Sequence, residues 1–295
     1  MKRIFLIVLV LLMQLSVYAQ KNPRSAEYHY LGVQMIGSYF FGDVATNLKT
    51  VRGGIGLQYL YKLTPNASFT TSVNYIRLVA DDYLASNVKK NTSNAYIRNL
   101  HMRNDVIEFS MSARYEIFPC NDYFSRRKDM NFYGTMGLGV LYTNPQAKDS
   151  TGQWRNLQSI HTENKSYGSF TGFIPVATGM QYKINTHMDL EFELGYRFTF
   201  TDYLDDAHGT YVDPATLQTD EAKYFSNRSA EATDVYTGNQ RDLDYIQNDL
   251  GYPILTTPDG YSYVSSTAPG QARGTRFGLD GYFVAMIRLV YIIPR

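Results

Sequence analysis

The chain has 295 residues, with 28 Lys+Arg against 27 Asp+Glu and a formal net charge of +1. That balance gives no basic excess for nucleic acid and no acidic solvating tail. Hydrophobic residues at 44% and charged residues at 19% exclude a disordered polyelectrolyte. The mean hydropathy of −0.30 is too polar for a bundle of transmembrane helices. Aromatic residues reach 15%, with Tyr alone at 26. Such a tyrosine excess suits surfaces that are apolar at one end and wet at the other, as at a membrane interface.

Lys2 and Arg3 precede an apolar run over residues 4–13, and Val17 and Ala19 supply small side chains at a cleavage site. This predicts a secretory signal peptide over residues 1–19. Ten apolar residues are too few for a spanning helix. Gln20, not Cys, follows the cut, so a lipoprotein anchor is not expected. Residues 20–295 then read as one domain.

Eight segments with period-two alternation follow, the mark of strands with two unlike faces. Leu31, Val33, Met35, Tyr39 and Phe41 share one face of the first, over 31–41, and Ile36 and Phe40 interrupt the other face. The second, over 51–62, alternates Ile55, Leu57, Tyr59 and Tyr61 against Gly54, Gly56 and Gln58. The third, over 68–79, is the weakest, because Arg77 falls on its apolar face with Phe69, Val73 and Tyr75. The fourth, over 107–117, sets Ile107, Phe109, Met111 and Tyr115 against Glu108, Arg114 and Glu116. The fifth covers 131–142 and the sixth 169–184. The seventh, over 188–201, is the clearest: Leu190, Phe192, Leu194, Tyr196 and Phe198 oppose Glu191, Glu193 and Arg197. The eighth, over 279–293, carries Phe283, Ile287, Leu289 and Tyr291 opposite Arg288.

Each segment has the roughly 9–11 residues that a tilted strand needs to cross a bilayer. Lipid satisfies no backbone N–H or C=O, so a sheet within it must close on itself. The expected fold is an all-β, eight-stranded antiparallel outer-membrane β-barrel. Glu108, Arg114, Glu116, Lys183, Glu191, Glu193, Arg197 and Arg288 are too many charges for a dry sandwich core. Inside a barrel too narrow for a channel they predict a lumen filled by ion pairs, not a conducting pore. The rival is a soluble barrel with the charged face outward and all the rings packed inside. Short periplasmic turns are expected at 64–66 and 185–187, with a longer one at 119–129, and outer loops at 42–50, 81–102, 143–168 and 202–274. The last loop is long enough to be functional or disordered.

The chemistry is sparse. His29, His101, His161, His187 and His208 show no metal-ligand spacing. The lone Cys120 forms no intrachain disulfide and reads as a thiol in a turn. His208 lies near Asp205 and Asp206 at the mouth of strand seven, where a general base could activate water. The plainer reading is that the acidic run 202–206 orders the loop by Asx-type bonds. It also lacks the spacing of a calcium loop. Arg126, Arg127 and Lys128 read as a charged turn that keeps the barrel end solvated. No catalytic, cofactor-binding or metal-binding residue is assigned.

Gly32-Val33 through Gly37-Ser38-Tyr39-Phe40-Phe41-Gly42-Asp43 resembles the opening strand of PorG-like outer-membrane barrels of the Bacteroidota type IX secretion system. The resemblance continues through Arg103-Asn104-Asp105, Ile107-Glu108, Gly137-Leu138-Gly139-Val140, residues 154–157 and Arg197-Phe198-Thr199-Phe200. Its most specific part is Thr201-Asp202-Tyr203-Leu204-Asp205-Asp206, followed by Tyr211-Val212-Asp213-Pro214, Asn227-Arg228-Ser229 and Arg273-Gly274. Residues of about 230–268 look inserted, and the ending Ile293-Pro294-Arg295 lacks the terminal aromatic of proteobacterial barrels. The resemblance implies a non-enzymatic anchor of type IX secretion, with a link to gliding. The implied partners are outer-membrane lipids and the periplasmic ring proteins, with no nucleic acid and no small-molecule substrate. The alternatives are a surface-binding barrel acting through its long outer loops, and a hydrolase at Asp205, Asp206 and His208.

Overall fold

The computed structural model describes residues 28–86, 94–120, 123–275 and 278–294, so the expected signal peptide lies outside the described residues. Eight long strands dominate: β1 (Tyr28–Phe41), β2 (Arg52–Lys62), β3 (Ala67–Asp81), β4 (His101–Glu116), β5 (Met130–Tyr142), β6 (Phe170–Lys183), β7 (Met188–Thr199) and β8 (Gly281–Pro294). Each pairs antiparallel with its sequence neighbours, and β1 pairs with β8 from Tyr28↔Pro294 to Phe41↔Gly281. That last ladder closes the barrel and leaves no edge among the eight. The ladder between β5 and β6 is interrupted between Met136↔Val176 and Gly139↔Phe173. Pro175 stands in that gap and has no N–H to donate.

The apolar faces point outward. Leu31, Val33 and Met35 are 54, 64 and 72% exposed, and Leu57, Leu138, Leu194 and Ile287 likewise line the outer wall. An apolar belt of this extent cannot face water. It therefore excludes the soluble rival, whose interior these side chains would have had to fill. Tyr59, Tyr115, Tyr182 and Tyr291 ring the periplasmic half, and Phe41, Tyr75, Tyr142, Phe170 and Phe198 ring the outer half. These are the two aromatic girdles of a membrane barrel. Arg77 also faces outward, near the outer rim, where Nε donates to Asp105 Oδ1 at 2.6 Å across the β3–β4 ladder. The weak third segment is thus a regular strand with a paired charge at its outer end.

The lumen is filled in three layers. At the periplasmic end Tyr28, Tyr30, Leu60, Val290 and Ile292 form an apolar floor, with Cys120 and Phe124 of the second turn packed beneath. Ion pairs fill the middle. Arg114 meets Glu191 at 2.7 Å, Arg288 bridges Glu191 and Glu193, and Lys62 meets Glu116 at 2.5 Å. Arg197 faces Glu108 at 3.4 Å, and the Arg114 guanidinium lies 3.5 Å over the Tyr133 ring. Above them Ile36, Phe40, Ile76, Leu78, Met102, Phe173, Val284 and Met286 make a second apolar layer, closed from the loops by Val44, Leu100, Leu204 and Ala207. Ile36 and Phe40 therefore do not spoil an alternation; they are this upper plug. Glycine makes room for it: a Cβ on Gly139 would lie 2.4 Å from the Phe173 ring, and one on Gly56 would collide with the Asn74 amide.

Two charged residues depart from expectation. Lys183 does not join the lumen network; its Nζ donates to the Ser125 carbonyl at 2.7 Å at the periplasmic rim. Arg127 does not solvate the barrel end. Its side chain turns up into the floor, pairs with Asp189 at 2.5 Å and donates at 2.8 Å to the carbonyls of Phe124, Asn185 and Thr186. Asp189 is fully buried and needs that cation.

Candidate functional site

The outer loops fold over the mouth. The third carries a hairpin of Pro145–Lys148 with Trp154–Asn156, which extends the β4 edge through Arg103↔Gln146. The fourth carries a helix, Asp220–Ser226, whose Thr219 hydroxyl caps the Ala222 N–H at 3.1 Å. It also carries two hairpins, Thr233–Asp234 with Asn239–Gln240 and Ile254–Thr256 with Ser262–Val264. Tyr96 and Ile97 of the second loop pack on Ile246 and Val264 of the fourth, and Ala147 and Leu157 of the third pack on Phe225. The Arg241 guanidinium ties the second and fourth loops by donating to the carbonyls of Tyr96 (2.6 Å), Ile97 (3.0 Å), Ser229 (2.9 Å) and Glu231 (2.6 Å). Burial pulls its pKa down to about 10. Residues 202–274 are therefore an ordered cap.

The acidic run is the keystone between cap and barrel. Asp205 accepts from the Val44 N–H at 2.8 Å and the Ala207 N–H at 3.1 Å. Asp206, at φ +62, accepts from the hydroxyls of Thr162 (2.5 Å) and Tyr167 (2.6 Å). Asp280 accepts from the Leu204 N–H at 2.8 Å. Burial raises the Asp205 carboxyl to about 7, with Asp43 adding to the rise and the two N–H groups opposing it. Burial raises Asp206 to about 6 against the pull of Arg273. Burial and the neighbouring Asp205 hold Asp280 well above the carboxylate range.

The three residues of the hydrolase reading do not converge. His208 Nδ1 bonds Asp202 at 2.5 Å, not Asp205 or Asp206. Both oxygens of Asp205 are held by backbone donors and both of Asp206 by hydroxyls, and of these only the Ala207 N–H bond is the local Asx-type bond that the loop-ordering reading expects. Among the described residues no group of three or more His, Cys, Asp or Glu is arranged to hold a metal ion.

Beside this keystone lies an open polar cleft of about 610 Å³. Its wall is a short antiparallel pairing, Thr210↔Ala272, extended by Tyr211 N–H to Gln271 O and Arg273 N–H to Gly209 O, both 2.9 Å. That places Tyr211, Gln271 and Arg273 around the cleft, with Asp43 from the first loop and Arg98 from the second. Glu163 anchors Arg273 at 2.6 Å, and Asp82 anchors Arg98 at 2.8 Å. Reading for catalytic motifs misses this cleft. No local pattern signals it, since Asp43, Tyr211 and Arg273-Gly274 meet here from distant parts of the chain.

A family model described as "Domain of unknown function (DUF6089)" matches residues 2–245. No curated protein matches the sequence. Among solved structures, the chain is similar to the outer membrane protein OprG of Pseudomonas aeruginosa, at 9% identity and a TM-score of 0.42 over 93% of this chain and 99% of that one. It is also similar to Ail, the attachment invasion locus protein of Yersinia pestis, at 8% identity and a TM-score of 0.39 over 90% and 99%. A major outer membrane protein of Thermus thermophilus matches at 9% identity and a TM-score of 0.37 over 90% and 99%.

Proposed function

The chain belongs to the DUF6089 family, and we propose that it is a non-enzymatic, non-conducting barrel of the outer membrane that anchors protein-export machinery of the type IX kind. The observation that carries this reading is the filled lumen. Among the described residues, an apolar floor, a paired ionic belt and an apolar upper plug occupy the lumen where a solute path would run. The work of such a barrel then falls to its two rims. The sequence resemblance to PorG-like barrels supports the export role, and the signal peptide expected over residues 1–19 supports delivery to the outer membrane. On the periplasmic side the second turn is clamped to the barrel floor through Arg127, a rigid contact surface for ring proteins.

Affinity purification of the tagged barrel from its own outer membrane, followed by mass spectrometry, tests the reading. The expected result is co-recovery of the periplasmic ring proteins, with loss of type IX export when the barrel is deleted. Recovery of the barrel alone, with export intact in the deletion strain, overturns it.

The folded cap favours a second reading, in which the outer loops are a recognition surface. Removing residues 230–268 then abolishes surface binding and leaves export unchanged.

A further inference from the structure

The outer rim of the barrel is not uniform. Tyr75, Ile107, Tyr142 and Phe170 share one row of the wall, in the outer aromatic girdle. One pleat above that row Arg77 stands opposite Asp105, and one further up Arg103 stands between Val79 and Gln146. Arg77, Asp105 and Arg103 continue the outward alternation of Tyr75 and Ile107. A contiguous cationic face runs on from them. Arg77 and Arg103 share the one carboxylate of Asp105, each at 2.6 Å, and keep 39 and 26% of their side chains exposed. The Arg103 guanidinium lies 5.0 Å over the ring of Trp154, the chain's single tryptophan, and Lys148 Nζ lies 5.5 Å over the same ring. Lys148 Nζ is also 5.4 Å over Tyr236, whose hydroxyl accepts from Arg52 at 2.9 Å. Both Arg52 and Lys148 are half-buried. Among the described residues their charged groups are bonded only to carbonyls and to the Tyr236 hydroxyl. Four cations thus face one carboxylate. The nearby carboxylates of Asp81 and Asp234 are fully buried and bonded to backbone N–H groups.

Height decides the partner. A strand rises about 3.4 Å per residue and tilts about 40° in such a barrel, so each pleat climbs about 5 Å. Arg77 and Arg103 therefore stand roughly 5 and 10 Å above the girdle row. The headgroup zone beyond the hydrocarbon core is about 5–8 Å deep on each side, so these cations lie within it and at its upper margin. The anions at that depth are the phosphate groups of outer-leaflet lipid. Guanidinium and ammonium groups meet them with charge-assisted hydrogen bonds. Trp154 suits the same depth, because an indole settles at the headgroup level. The opposite wall is of another kind. There the residues at the ends of β7 and β8 are Phe200 and Leu279, 56 and 66% exposed, which suit acyl chains.

We propose that this face, from Arg52 through Lys148 and Arg103 to Arg77, binds the phosphate groups of a phosphorylated glycolipid in the outer leaflet. The proposal rests on the placement of the barrel in the outer membrane and is independent of its export role. The test is native mass spectrometry of the detergent-folded, full-length barrel with bisphosphorylated lipid A, its monophosphorylated form and its phosphate-free form at equal concentration. The expected result is retention that falls with each phosphate removed. Arg52→Gln and Lys148→Gln each weaken retention of the bisphosphorylated form about fivefold, the scale of one cation at a charged membrane surface. Neither substitution strands a carboxylate of the protein. Lys183→Gln, at the periplasmic rim, leaves retention unchanged. The heat-dependent gel shift is the folding control, and should Arg52→Gln fail to fold, Lys148→Gln carries the comparison. Equal retention of the phosphate-free form, or unchanged retention by the folded Arg52 and Lys148 variants, overturns the proposal. Displacement of the lipid by inorganic phosphate at constant ionic strength also overturns it and assigns the cations to a soluble anion. Lost lipid binding with export and ring recovery intact removes this proposal alone. A barrel that fractionates away from the outer membrane removes the placement on which both readings rest.

Discussion

The lumen and the outer mouth are both built from buried Arg, Asp and Glu, yet their charge balance differs. In the lumen, among the described residues, Lys62, Arg114, Arg127, Arg197 and Arg288 stand against Glu108, Glu116, Asp189, Glu191 and Glu193, one cation for each carboxylate. At the mouth Arg98 and Arg273 face Asp43, Asp82, Glu163, Asp202, Asp205, Asp206 and Asp280. Lipid surrounds the first cluster, and an unmatched charge there has no water to turn to. Solvent borders the second, which answers its acid excess by holding protons. The first arrangement makes a plug, and the second makes a lid whose strength depends on pH.

The sharpest way to break this comparison is Glu191→Ala, which strands Arg114 and Arg288 together. The expected cost is about 3–5 kcal/mol, read as a fall in the urea midpoint of the detergent-folded barrel. An unchanged midpoint would mean that the ionic belt is not structural. Arg127→Ala leaves Asp189 with Gln181 alone among its side-chain donors. It should cost about 2–3 kcal/mol and open the second periplasmic turn to protease.

The mouth should respond to pH in the opposite sense from an ordinary salt bridge. Folding raises Asp205 to about 7 and Asp206 to about 6, above their ordinary carboxylate range. The closed cap therefore holds protons that the opened cap releases. Its stability is greatest below the unfolded pKa near 4 and falls as pH rises through the folded values. Cap opening, followed by limited proteolysis with matched protease activity, should grow by up to roughly tenfold per pH unit for each of the two protons released across that window. Asp205→Asn should flatten the profile, and a profile unaltered by it would detach the response from the keystone. The smallest effect is expected at Arg77→Ala. Its pair with Asp105 is over a third exposed on the arginine side and should contribute under about 1 kcal/mol to the same unfolding midpoint.

The barrel was legible in the sequence because lipid on one side and a packed lumen on the other impose period two over every crossing. The legibility fails where that contrast ends. Strand β4 begins at His101, not Ile107, because its first turn-ward residues stand above the belt, where Met102 and Val106 point into the upper plug. Arg127 looked like a solvated charge because its partner, Asp189, lies across the barrel floor in another strand. The cap left no periodic trace. Tyr96 and Ile97 meet Ile246 and Val264 only after the fourth loop has folded back over the second. The acidic run was read as a loop organiser through local Asx-type bonds, which holds for Asp205 and the Ala207 N–H, whereas its bonds to Val44, Thr162 and Tyr167 reach 39 to 161 residues away and leave no local trace. The cleft beside it was not legible, because Asp43, Tyr211 and Ser266 come together only through that folding.

The Arg127 clamp also gives the molecule a load path. One guanidinium joins the second periplasmic turn to the carbonyls of Asn185 and Thr186 in the third turn and to Asp189 at the foot of β7. A pull on the second turn from below is thus shared with the neighbouring turn and with β7. There the ladders to β6 and β8 meet it as shear across many hydrogen bonds at once. A barrel wired in this way resists a tug from the periplasm as a single body, where an untied turn would peel away one bond at a time.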